Sequence, residues 1–176
     1  MSNSFLIVVD MQNDFVGGSL GSEAAQAITL DVMKKVAHFP GKVIFTQDTH
    51  GSDYLETQEG KLLPVKHCIK GTPGWRLIPG LEKLQQEHHW PVIQKPCFGS
   101  VKLARELAEA NKVQPITSIE LIGLCTDICV VSNALLLKAA LPEVPIKVDS
   151  RCCAGVTPEK HRAALETMKS CQIIVE

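Results

Sequence analysis

The chain lacks the features that would mark a partner larger than a small molecule. No run of like charge exceeds Lys34-Lys35, and the formal net charge is -1. Without a basic stripe there is no electrostatic footprint for nucleic acid or an anionic membrane surface. The N-terminal apolar stretch, Phe5 to Val9, is five residues long and has no basic flank. It is too short to span a bilayer and wrongly flanked for a secretory signal, so a buried first strand is expected. The sequence also has no internal repeat, low-complexity tract or linker. One domain over residues 1–176 is expected. Its seven cysteines are odd in number and follow no repeating framework, which points to free thiols in a reducing, cytoplasmic compartment.

What remains is the composition of a globular domain, 45% hydrophobic and 21% charged. A chain of this length buries roughly 70% of its unfolded surface, so its core needs neither disulfide nor structural metal. Any metal ligands therefore belong to function. The expected partner is a small molecule, and exposed apolar faces in such a fold favour a homo-oligomer.

Short runs rich in valine and isoleucine recur at 5–9, 43–46, 92–94, 119–123, 146–148 and 173–175, and each predicts a buried strand. Helical spacing lies between them at 24–38, 81–88, 101–110, 126–140 and 158–170. Thr126 reads as the cap of one helix, and Thr157 before Pro158 as the cap of the last. Strands alternating with helices imply parallel crossovers. The expected fold is a three-layer, doubly wound α/β domain, a six-stranded parallel sheet with helices on both faces. The one long irregular stretch is 49–80, and loops of that length in compact domains are usually functional.

Ligands of open parallel sheets bind beyond the carboxyl ends of the strands. Here those ends are polar: Asp10 after the first, Asp48 and His50 after the second, Lys95 after the third, the segment 123–129 after the fourth and Asp149 after the fifth. Cys129 falls in the first turn of a helix, where unpaired N–H groups and the helix dipole favour a thiolate. A thiol attacking an amide needs a group to take its proton and return it to the leaving amine. Asp10, with a pKa raised by burial, can do both, and Lys95 can hold Asp10 and the thiolate in place. Asp48, His50, Glu59 and His67 offer two imidazoles and two carboxylates, a donor set suited to divalent zinc, manganese or iron. The remaining cysteines, 68, 97, 152, 153 and 171, show no paired metal spacing and read as small buried hydrophobes, with Cys97 near enough to Lys95 to line a pocket.

Three segments occur in order: Val8-Val-Asp-Met-Gln-Asn-Asp-Phe15, Lys95-Pro-Cys-Phe-Gly-Ser100 and Gly123-Leu-Cys-Thr-Asp-Ile-Cys-Val130. With them the chain resembles the isochorismatase-like cysteine hydrolases, the nicotinamidase and pyrazinamidase branch in particular. The resemblance implies a catalytic triad of Asp10, Lys95 and Cys129. It also implies a cis peptide at Leu124-Cys125, with the backbone N–H groups of Cys125 and Cys129 forming an oxyanion hole. A metal on Asp48, His50, Glu59 and His67, most suitably zinc, would anchor a ring nitrogen rather than activate water, which requires a coordination number above four. Phe15 matches one pocket aromatic of that branch. Leu62-Leu63 stand where a tryptophan or phenylalanine is typical, leaving Leu63 as a pocket residue and Tyr54, Trp75 or Phe98 to supply the missing ring. Cys125 replaces a customary alanine.

The implied reaction converts nicotinamide, or a similar heteroaromatic carboxamide such as pyrazinamide, to the acid and ammonia through an acyl-cysteine. Two alternatives remain at this point. One is hydrolysis of another small C–N substrate, an N-carbamoyl or ureido compound, for which the metal ligands would be superfluous. The other is a non-enzymatic metal or redox binding module, which would leave the Asp10 and Lys95 pair without purpose.

Overall fold

The computed structural model describes residues 3–176. Six parallel strands form one sheet: β1 (Ser4–Val9), β2 (Lys42–Asp48), β3 (Val92–Lys95), β4 (Ser118–Leu124), β5 (Ile146–Ala154) and β6 (Ile174–Val175), in the order β3-β2-β1-β4-β5-β6. The helices are α1 (Asn13–Val16), α2 (Glu23–Ala27), α3 (Thr29–His38), α4 (Gln58–Leu62), α5 (Pro79–His88), α6 (Val101–Val113), α7 (Val131–Ala140) and α8 (Pro158–Ser170).

The central strand shows why the sheet is covered on both sides. Every residue of β1 is buried. Alternate side chains serve opposite cores, with Phe5, Ile7 and Val9 packing with Leu103 and Leu107 of α6, Leu137 of α7 and Met168 of α8. Leu6 and Val8 pack with Ala25 of α2, Val32 and Val36 of α3 and Leu81 of α5. A strand apolar at every position can only be satisfied between two helical layers. The three-layer architecture follows from that pattern.

Several boundaries differ from expectation. The helix foreseen over 24–38 breaks at Ile28, because the Thr29 hydroxyl bonds back to the Gln26 carbonyl at 2.8 Å and competes with the helical ladder. The stretch 49–80 is less irregular than its composition implies, holding a 3-10 turn at Tyr54–Glu56 and α4. Asp149 does not end its strand. Between the pairs Leu121↔Val148 and Gly123↔Cys153 the register shifts, and β5 bulges on to Ala154. Asp149 thus lies in mid-strand, 2.9 Å from Lys35 of α3 and away from the carboxyl edge.

Strand order reverses between β1, which continues toward β2, and β4, which continues toward β5. A crevice opens beyond the carboxyl ends at such a switch point. Gly123 makes the crossing tight there. At φ +116° it adopts a conformation L side chains avoid, and a Cβ would overlap the Val9 carbonyl. Asp10 and the turn that carries Cys129 therefore leave adjacent strands almost in contact.

Candidate active site

Asp10 follows β1 with a left-handed φ of 47°, which swings its carboxylate inward. It is fully buried; Thr46 of β2 donates to Oδ1 at 2.6 Å and the Lys95 ammonium lies 2.6 Å from Oδ2. Lys95 reaches this point because β3 pairs with β2 in parallel, setting Lys95 beside Asp48. Its ammonium lies 3.2 Å from Asp48 Oδ1, donates to the Cys97 carbonyl at 3.0 Å and stands 3.5 Å from Cys129 Sγ. The three residues expected to act together do meet, around one cation.

Cys129 belongs to a π-helical turn, Thr126–Val130, that runs into α7. The Val130 N–H bonds to the Cys125 carbonyl five residues back at 3.0 Å, and the Leu124-Cys125 peptide is cis. Thr126 does not cap this helix. It is buried, and its hydroxyl shares a 2.8 Å hydrogen bond with His161 Nδ1 of α8. The neighbouring Asp127 accepts the Val156 N–H at 2.9 Å, so the pair moors the turn to the end of β5 and the start of α8.

Burial pushes the Cys129 thiol well above its ordinary pKa, Asp10 adds to the rise and Lys95 opposes it. The helix terminus alone therefore does not supply the thiolate. Burial likewise raises Asp10, with Lys95 opposing. Burial works against the Lys95 ammonium, but Asp10, Cys129 and Asp48 together hold it charged. A permanent cation thus stands between an acid and a thiol that each hold protons more strongly than usual, which lets one proton pass between them.

Asp48 links this triad to a second cluster. One ligand atom each from Asp48, His50, Glu59 and His67 lies within 4.8 Å of the others. His50 Nε2 is 3.0 Å from Asp48 Oδ2 and 3.6 Å from Glu59 Oε1, and His67 Nε2 is 3.7 Å and 3.5 Å from the same two oxygens. Donors about 2.1 Å from one centre stand roughly 3.0–4.2 Å apart, so the four can hold a metal ion. The His67 Nδ1 position engages the Val65 carbonyl at 2.8 Å, which leaves Nε2 for an ion.

Local sequence brings these four side chains together. Residues 68–70 run beside the end of β2, with the His50 N–H on the Cys68 carbonyl at 3.0 Å and the Lys70 N–H on the His50 carbonyl at 2.9 Å. Thr57 caps α4 by accepting the Gly60 N–H at 3.0 Å, which sets Glu59 in the first turn. Gln12, not singled out from sequence, grips the Asp48 backbone at both ends, accepting its N–H at 2.8 Å and donating to its carbonyl at 2.9 Å. Thr46, Asn133 and His161 were also missed. Gln12 lies inside one of the three segments above, Thr46 and Asn133 are isolated polar residues in apolar runs, and His161 stands among the charged residues of α8.

A cleft of about 780 Å³ opens above the cluster, lined among others by His50, Glu59, Leu62, Leu63, Cys97, Phe98, Asp127 and Ile128. Leu63 is where expected. Tyr54 does not line the cleft; it is fully buried with its ring 4.7 Å from His50 and 4.9 Å from His67, and its hydroxyl donates to the Leu63 carbonyl at 2.9 Å. Phe15 is half-buried with its ring 5.5 Å from that of His67. Of the remaining cysteines, 68, 152 and 153 are buried, whereas Cys97 and Cys171 are exposed because each sits on a turn beyond the core.

Residues 4–176 match the model of the isochorismatase domain. The chain belongs to the isochorismatase family. A nicotinamidase/pyrazinamidase of Mycobacterium tuberculosis is 29% identical, the match covering 96% of this chain and 95% of that one. The crystal structure of nicotinamidase PncA from Bacillus subtilis superimposes with a TM-score of 0.84 at 30% identity, over 98% of each chain. A pyrazinamidase/nicotinamidase from Streptococcus mutans gives 0.84 at 26% identity, over 98% of this chain and 99% of that one. Among the described residues, no helix of this isochorismatase-family chain is long and apolar enough to cross a membrane.

Proposed function

We propose that the protein hydrolyses nicotinamide or a closely similar heteroaromatic carboxamide to the acid and ammonia, with Cys129 as nucleophile. The observation that carries this reading is the Lys95 ammonium, fully buried and in reach of Asp10 and Cys129 at once. In the first half-reaction the Cys129 proton passes to Asp10 while Sγ bonds to the amide carbon and the carbonyl electron pair moves onto oxygen. The N–H groups of Cys125 and Cys129 receive that charge, each such donor contributing about 3–4 kcal/mol. Asp10 then protonates the nitrogen, the C–N bond breaks and ammonia leaves an acyl-cysteine. In the second, Asp10 takes a proton from water, the resulting hydroxide attacks, and the thiolate departs and regains a proton. Lys95 keeps its charge throughout.

Asp48, His50, Glu59 and His67 are the residues that would hold a divalent ion, and two imidazoles with two carboxylates suit zinc best. When bound, that ion supplies a Lewis-acid docking point for a ring nitrogen. The cleft is lined in part by Leu62, Leu63, Phe98 and Ile128, apolar surface that suits a flat ring better than the carboxylate of an N-carbamoyl or ureido acid.

Ammonia release from nicotinamide, pyrazinamide and an N-carbamoyl amino acid tests the reading. Turnover of the first two is expected, and Cys129→Ala should lower it roughly 10⁴-fold or more. Turnover that survives in Cys129→Ala would sink the covalent mechanism, and preference for the carbamoyl compound would sink the substrate. Metal content of Asp48→Ala and His50→Ala tests the ligand set, which fails if both retain the wild-type amount.

A further inference from the structure

Asn133 lies one turn beyond the nucleophile on α7 and is 1% exposed. A buried primary amide must find partners, and this one is satisfied in an unusual way. Its Nδ2 donates to the Cys129 carbonyl at 2.8 Å and to the Phe98 carbonyl at 3.3 Å, while its Oδ1 accepts the Ser100 N–H at 2.9 Å. Both donors and one acceptor are used, and only one partner belongs to its own helix.

The other two partners lie in the segment that follows Lys95. That segment bears on the site twice. The Cys97 carbonyl receives the Lys95 ammonium at 3.0 Å, and Pro96, Cys97 and Phe98 line the cleft. Ser100 then caps α6 by accepting the Leu103 N–H at 3.1 Å. One side chain therefore ties the nucleophile turn to the loop that carries the lysine and one wall of the cleft.

We infer that Asn133 is a positioning residue, which sets the distance between the Lys95 ammonium and Cys129 Sγ by clamping residues 98–100 to the nucleophile helix. It touches no reacting atom. Its contribution is that the cation meets the thiol without a search, since an angstrom of looseness at a reacting pair can cost a hundredfold in rate. The inference rests on the proposed role of Cys129 and Lys95, but it can be tested without a substrate.

The measurement is the second-order rate of Cys129 alkylation by iodoacetamide at fixed pH, followed by peptide mass spectrometry, with kcat and KM for nicotinamide beside it. Asn133→Ala removes the clamp. Asn133→Asp keeps the shape and the Ser100 bond but sets an acceptor against the two carbonyls. Val144→Ala, a core change remote from the site, serves as the control for destabilisation alone. Alkylation should slow about tenfold or more in both Asn133 variants, with kcat falling more than KM rises, while Val144→Ala stays within about twofold of wild type. If Asn133→Ala does not fold, Asn133→Asp decides by the same readout. Alkylation rates in the Asn133 variants that match Val144→Ala would overturn the inference. Absence of nicotinamide turnover in the wild type would overturn the functional reading and leave the alkylation result to judge Asn133.

Discussion

Among the described residues, Lys95 and Lys35 each sit between two carboxylates, and they behave differently. Lys95 joins Asp10 at 2.6 Å and Asp48 at 3.2 Å at the carboxyl edge of the sheet, with Cys129 as a further neighbour. Lys35 of α3 joins Glu120 and Asp149 in mid-sheet, with Arg151 3.3 Å from Asp149. The second group balances two cations against two carboxylates. Although burial works to raise Asp149, Lys35 and Arg151 outweigh it and hold that carboxyl below its ordinary pKa. The first group has one lysine for two carboxylates and a thiol: burial works to raise Asp48, but His50 and Lys95 outweigh it and hold that carboxyl below its ordinary pKa, whereas burial raises Asp10. The contrast therefore falls on one residue: Asp149 is held ionised by its cations, whereas the buried Asp10 holds its proton more strongly than usual despite Lys95.

The largest effect that would break this comparison is on Lys95. Lys95→Met should abolish measurable amide turnover and, by leaving the buried Asp10 carboxylate without a cation, cost about 3–5 kcal/mol in denaturant unfolding. Lys35→Met should cost about 1–3 kcal/mol, reduced by the solvent reaching its ammonium, with kcat/KM within about twofold of wild type. Equal losses of activity would mean that both clusters are structural.

The pH profile sharpens the same contrast. In the proposed mechanism Asp10 is ionised when it accepts the Cys129 proton, so kcat/KM should fall as pH drops through the Asp10 value. Because burial raises that value, the acid limb should have its midpoint above the ordinary aspartate pKa of about 3.9. Asp149→Asn should leave the midpoint where it is. Next in size is metal removal: chelation, or Glu59→Gln, should raise KM for nicotinamide by more than it lowers kcat, as loss of a docking point does. Steady-state kinetics before and after dialysis against a chelator measures this.

The smallest expected effect is at His161, which burial holds below the ordinary histidine pKa and so favours in its neutral form. That stabilising contribution is fully present above the unfolded value near 6.5 and is lost as pH falls from there through the lower folded value. His161→Ala, which removes the 2.8 Å bond to Thr126, should lower kcat by about two- to tenfold, the worth of one ordinary hydrogen bond. Thermal unfolding at pH 7.5 and 5.5 should differ less in this variant than in wild type.

The residues legible beforehand share a physical signature. Asp10, Asp48 and Lys95 end or follow apolar runs, and in a parallel sheet with both faces covered such ends can only converge on one edge. His50, Glu59 and His67 were recognisable by donor type. Asn133 and Thr46 were not, because a lone polar residue in an apolar run does not reveal its partner when that partner comes from another strand or loop. Asp149 misled for a related reason: its chain neighbours look like the end of a strand, and only the register shift against β4 carries β5 onward.

By itself, then, the sequence determined the alternation of buried strands and helices, the polar edge and the identity of the groups gathered there, because burial of apolar side chains is a local pattern with global consequences. Tertiary structure decided which lysine serves two carboxylates and a thiol at once, that Tyr54 is buried behind His50 and His67 and not in the cleft, and that the Asn133 amide joins the Cys129 carbonyl to residues 98–100. Those outcomes depend on distances across elements and on how completely water is excluded, and neither is written in the order of residues.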